Sequence, residues 1–195
     1  MKLKIQESLA VMLLAAPIVA AGQDITYNVD ETLGAGSVVG TITTNGTIGT
    51  ITKGSEIVAF SLTLTDQSLD GGPSVLISNL NGSIFGQYNK GGLSATATSL
   101  LFNYGGSGYS FIFSGPSPYD FWCGADAGSG TCNFETDPAE VIGQTSSGGN
   151  AEVLSEAGVG EKVIGTVSAV PAPTSLAMLG LGLAALGVVR RQKAG

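Results

Sequence analysis

The densest gathering of chemically able side chains is SPYDFWCGADAGSGTCNFETDPAE, residues 117–140. It sets Tyr119, Phe121 and Trp122, the only tryptophan, beside Cys123 and Cys132, with Asp120, Asp126, Glu135, Asp137 and Glu140 around them. Three readings fit. Aromatic faces stack on sugar rings while carboxylates grip hydroxyls, which makes Tyr119, Phe121 and Trp122 a candidate carbohydrate platform. Carboxylates on loops can ligate Ca²⁺, although no D-x-D-x-D-G frame is present. The third reading is a stapled loop whose aromatics cap the end of a domain. In a strand, neighbours alternate faces, so at least one of Phe121 and Trp122 is expected on the outer side, exposed beside Asp120. The close pair Cys123 and Cys132 reads as a disulfide in an exported chain. Closing so short a loop contributes about 2–3 kcal/mol in the chain-entropy model.

Other chemistry is thinly supplied. The chain has no histidine, which removes Ser-His-Asp and Cys-His nucleophiles, the HExxH zinc site and His-ligated iron or copper. No G-x-S-x-G elbow or phosphate-cradling glycine loop is present. Glycoside hydrolysis needs only two carboxylates, but most carboxylates here fall in turns. The expectation is a non-catalytic protein with no metal site or required cofactor. Residues 22–170 carry 14 acidic residues against three lysines, Lys53, Lys90 and Lys162, hence a net charge of −11. Such a body repels nucleic acid, so no nucleic-acid partner is expected.

The elements that must position these residues are strands. Between residues 24 and 170 helix signals are nearly absent and strand signals recur every 8–12 residues. Asn45-Gly46 lies between two β-branched runs and predicts a hairpin that pairs Thr44 with Thr47, Thr43 with Ile48 and Thr41 with Thr50. That hairpin sets Ile42 and Ile51 on one face and Thr41, Thr43, Thr50 and Thr52 on the other. Val58, Phe60, Leu62 and Leu64 alternate with Ala59, Ser61, Thr63 and Thr65 as a core strand. Leu100, Phe102 and Tyr104, then Tyr109, Phe111 and Phe113, repeat the pattern on either side of a glycine-rich turn. Weaker strands fall near Ile25–Val29, Pro73–Ser78, Leu93–Ala97 and Lys162–Ser168, while residues 143–160 read as a loop. Seven to ten short strands predict an all-β fold, an antiparallel β-sandwich of jelly-roll kind over residues 22–168.

The two ends differ from this body. Residues 1–21 have a basic start (Lys2, Lys4), an apolar stretch from Leu9 to Ala20, and Val19 and Ala21 before a signal-peptidase cut near Gly22. The expectation is a signal helix and export. Residues 169–195 hold Val170-Pro171-Ala172-Pro173, an apolar run from Leu176 to Val189, and Arg190-Arg191. As a short transmembrane helix the 14-residue run reaches ~21 Å against a hydrocarbon core of ~30 Å. Gly180, Gly182 and Gly187 suit close helix–helix approach within a membrane.

In this order of elements the ending resembles the PEP-CTERM sorting domain, in which Pro-Glu-Pro precedes a short membrane stretch and an arginine-rich end. Pro171, Ala172 and Pro173 stand at the proline motif, with Ala172 where the family usually has glutamate, and Arg190 and Arg191 form the basic end. The resemblance implies a substrate of exosortase, a membrane-embedded transpeptidase-like enzyme of Gram-negative bacteria that make exopolysaccharide. By the positive-inside rule the basic end stays cytoplasmic while the body lies outside. It further implies a transient inner-membrane intermediate, then a cell-surface or extracellular destination among exopolysaccharide or biofilm. The alternative function is a secreted lectin-like module using the Tyr119–Trp122 segment.

Overall fold

The computed structural model describes residues 23–66, 74–88, 91–106, 108–115, 120–126, 138–146 and 149–168. The signal segment 1–21 and the sorting tail 169–195, with the helices expected of them, lie outside these residues. Among the described residues no helix is long and apolar enough to cross a membrane.

The body is antiparallel β throughout, in two sheets. The larger sheet holds β1 (Ile25–Leu33), β2 (Gly36–Thr44), β3 (Gly49–Thr50), β4 (Ile57–Thr65), β5 (Ser74–Ser78), β7 (Leu93–Ala95), β8 (Ser99–Asn103) and β13 (Glu161–Thr166). Its eight strands run in the order β3-β7-β8-β13-β1-β2-β4-β5. The smaller holds β6 (Ile84–Tyr88), β9 (Ser110–Ser114), β10 (Asp120–Ala125), β11 (Ala139–Ser146) and β12 (Gly149–Ala157), in the order β12-β11-β10-β9-β6. Sequence neighbours lie side by side in β9 through β12 of one sheet and in β1-β2 and β4-β5 of the other, so the order departs from the jelly-roll kind expected. The last strand, β13, is internal. It is paired to β8 on one side and β1 on the other.

The Asn45-Gly46 hairpin does not form. β2 pairs instead with β1, in an unbroken register from Ile25↔Thr44 to Leu33↔Gly36, and on its other edge with β4. The turn is Gly34-Ala35, with Gly34 at φ +57. Nine cross-strand pairs that bury Ile25, Tyr27, Val29, Leu33, Val38 and Ile42 outweigh one favourable turn dipeptide. Asn45-Gly46 starts a loop instead. Asn45 Oδ1 accepts from Thr47 N at 3.1 Å, Asn45 N donates to Glu56 O at 2.9 Å, and the Glu56 carboxylate collects Thr52 N and Lys53 N at 2.7 Å each. The short β3 further on pairs with β7, and Ile51 is buried as expected.

Two further corrections have local causes. Val58 is exposed because the β2–β4 register shifts between Thr43 and Thr44, which puts Ile57 inward in its place; Phe60, Leu62 and Leu64 face the core as read. Within the expected loop, residues 143–146 are the second half of β11 and 149–157 are β12. Their glycine, serine and threonine residues pair well yet show no hydrophobic alternation.

The core lies between the sheets. Phe60 and Phe102 of the larger sheet meet Phe113 and Phe111 of the smaller at ring-centroid distances of 5.0 Å each, edge to face. Trp122 stacks beside Phe113 at 5.6 Å and meets Phe111 edge-on at 4.9 Å. Aromatic pairs of this geometry each add about 0.5–1.5 kcal/mol beyond the area they bury. Phe111 and Phe113 lie in β9 of the smaller sheet and Leu100 and Phe102 in β8 of the larger, so the chain between the two strands passes from one sheet to the other.

Candidate functional site

The side chain of Trp122 enters the core from β10. In the β10–β11 register Trp122 stands opposite Ile142 and Gly124 opposite Glu140, so Glu140 projects from the same inner face as the indole. Gly124 is required there, since a Cβ would sit 2.3 Å from Phe111 Cε1. Trp122 Nε1 donates to Glu140 Oε1 at 2.8 Å, and Tyr104 Oη makes a longer bond to Glu140 Oε2 at 3.4 Å. Lys162 of β13 completes the group: its Nζ lies 2.5 Å from Glu140 Oε2 and 2.8 Å from Glu31 Oε2 on β1. One ammonium therefore joins a carboxylate from each sheet.

The electrostatics follow from burial. Burial alone would lower the pKa of Lys162, but its hydrogen bonds to Glu140 and Glu31 outweigh that and hold it above the ordinary lysine value. Burial raises Glu31, with the bond to Lys162 opposing and the charges of Glu140 and Glu156 adding to the rise. Tyr104 is pushed well above the usual phenol range, first by burial and then by the charge of Glu140. At neutral pH the Tyr104 of this clasp is therefore a neutral donor to the carboxylate. Glu140, Trp122 and Tyr104 are all buried, so what the arrangement does chemically is tie β1, β10, β11 and β13 together.

The sequence-predicted site fares differently residue by residue. Trp122 is 0% exposed and Phe121 1%. Phe121 does lie on the opposite face of β10 from Trp122, but that face is covered too, in a second apolar cluster with Cys123, Ala125, Ala139, Val141 and Ile112. The expected exposed ring is thus corrected, and neither ring offers a face to a sugar. Tyr119 lies outside the described residues. Asp120 and Asp126 are buried, and Asp126 Oδ1 accepts from Tyr109 N at 2.7 Å. Burial raises the pKa of Asp126, with the backbone N–H groups of Tyr109 and Gly108 partly offsetting it. Among the described residues no three His, Cys, Asp or Glu side chains approach closely enough to hold a metal ion. Glu135 and Asp137, the remaining candidates for Ca²⁺, lie outside them. Among the described residues no free cysteine is found, and Cys123 is fully buried; Cys132 lies outside them.

Sequence reasoning missed Glu31, Tyr104 and Lys162 as a group. The available signal was scarcity, since Lys162 is one of only three lysines in the body and sits in a strand beside two apolar residues.

Fold and clasp together define a two-sheet antiparallel β domain with an ionic tie through its core. The segment C-terminal to this domain governs how the chain is handled. Residues 169–192 match the family model described as the PEP-CTERM protein-sorting motif, so the chain carries the sorting signal of an exported protein handled by an exosortase. Pro171, Ala172, Pro173, Arg190 and Arg191 all fall within that match, outside the described residues. No curated protein and no solved structure matches the chain.

Proposed function

We propose that this protein is a non-catalytic building block of the cell surface or extracellular matrix of a Gram-negative bacterium. In this reading signal peptidase removes residues 1–21, the tail holds the chain briefly in the inner membrane, and exosortase cuts within the motif. The β domain then takes its place among exopolysaccharide or biofilm. The observation that carries the reading is the sorting motif at residues 169–192, which begins three residues after β13 ends at Thr166. An acidic, two-sheet domain suits a soluble matrix component, because like charge keeps copies apart. The disulfide Cys123–Cys132 belongs to the same reading, supported by the absence of a free cysteine among the described residues. The lectin-like alternative loses its support with the burial of Phe121 and Trp122.

The test is the intact mass of the mature protein from its host, with and without the exosortase. The expected product ends upstream of Leu176. Mature molecules that retain Lys193 in both strains would overturn the sorting reading and leave the tail as a plain anchor.

A further inference from the structure

Strand β5 ends the larger sheet and pairs with β4 alone among the described residues. An open edge is a template for another strand. Its sequence, Ser74-Val75-Leu76-Ile77-Ser78, reads almost the same in both directions. Paired antiparallel with itself about Leu76, it sets serine against serine, valine against isoleucine and leucine against leucine, with no charge anywhere. The other edges are poorer templates: β3 has two residues, Gly86 interrupts β6, and the sequence of β12 carries two acidic residues. In a body of net charge −11, an uncharged self-complementary edge is where a second copy meets least repulsion.

The edge is also stoppered. Ser78 N donates to Asn81 Oδ1 and Ser83 Oγ, both at 3.1 Å, so it points away from β4. In an antiparallel ladder alternate residues share a direction, so Ser74, Leu76 and Ser78 all present their backbone groups to the open side. Asn81 Nδ2 donates to Leu76 O at 2.9 Å, and Ser83 N donates to Ser78 O at 3.1 Å. The 3-10 turn Asn79–Asn81, closed by Gly82 at φ +84, thus occupies the groups that an incoming strand would need. Leu76 is left 55% exposed and Leu80, on the turn itself, 94%.

We propose that β5 is a latent assembly edge, held shut by Asn81 and Ser83, whose partner is β5 of a second copy. Opening the turn frees Leu76 O and Ser78, and two larger sheets then join edge to edge about a two-fold axis at Leu76. The experiment is light scattering coupled to size exclusion on the exported protein. Wild type is expected as a monomer and Asn81→Ala/Ser83→Ala as a dimer of twice the mass. Adding Leu76→Lys to that double variant, which sets two ammonium groups together at the axis, should return the monomer. If the double variant does not fold, Asn81→Ala alone serves, since it withdraws the donor to Leu76 O without adding charge and leaves Ser83 Oγ as acceptor for Ser78 N. A folded variant that stays monomeric, or a dimer indifferent to Leu76→Lys, overturns the proposal. A wild type already dimeric overturns the stopper.

Discussion

Lys162 crosses from the larger sheet to Glu140 of the smaller, 2.5 Å from its Oε2, while Trp122 Nε1 donates to the other oxygen of the same carboxylate at 2.8 Å. A carboxylate taken this far from water is costly unless every lone pair is answered. Here it is answered by a charge, an indole and a phenol, from three different strands or their ends.

Removing the ammonium should therefore cost more than removing the outer carboxylate. Lys162→Met leaves Glu140 buried without its counter-charge. The expected loss is roughly 2–3 kcal/mol, below the ~3–5 of a fully buried pair because the Lys162 side chain is one-third exposed. Glu31→Gln, at the wetter end, should cost under about 1 kcal/mol. Urea unfolding of both variants checks the order, and equal losses would mean that Glu140 is not the anchoring partner.

Trp122 should report the interior. Its emission is expected to be blue-shifted, resistant to acrylamide and unmoved by saccharide, because the ring lies between Phe111 and Phe113. Quenching at the rate of free indole would show that the sandwich opens at β10.

Stability should rise as pH falls from neutral toward the ordinary carboxylate range. Glu31 and Asp126 both have raised pKa values, so the folded state takes up protons at a higher pH than the unfolded chain. Where the folded state binds more protons, stability falls with rising pH, and the cost of ionising both groups is relieved on the acid side. Lys162 and Tyr104 give the same sign in alkali. Their contribution is intact below the unfolded values near 10 and is lost as pH climbs through the higher folded ones. Urea midpoints at pH 5, 7 and 10.5 should descend in that order, and a midpoint lower at pH 5 than at pH 7 would contradict the assignment.

Reductant should lower the melting temperature by several degrees if Cys123 and Cys132 are bonded, as a contribution of ~2 kcal/mol implies for a domain of this size. A non-reducing peptide map that fails to link the two would exclude the bond.

What could be read from sequence was strands with one wet face. Phe60, Leu62 and Leu64 alternate with Ser61, Thr63 and Thr65 because only one side of their sheet meets the core. β10 hid its arrangement because both of its faces are buried, so no alternation marks which aromatic faces the larger sheet. The turn Gly34-Ala35 lost to Asn45-Gly46 on local propensity and won on the length of the ladder it closes. The clasp was illegible for another reason. Glu31, Glu140 and Lys162 are distant in sequence, and nothing local ties their three strands.

The internal place of β13 has a mechanical consequence. Tension arriving through the C-terminal segment enters the domain at Thr166, which pairs with Ser99 on one side and Asn28 on the other. Just beyond, Val167 N donates to Thr98 O at 2.8 Å and Asn28 Nδ2 donates to Ser168 Oγ. A strand at the sheet's edge would peel away one ladder at a time. This one is held on both flanks, by the ladder to β8 and by the Asn28–Thr166 pairing with β1, and four residues inward the pull meets Lys162, which hands part of the load to the opposite sheet.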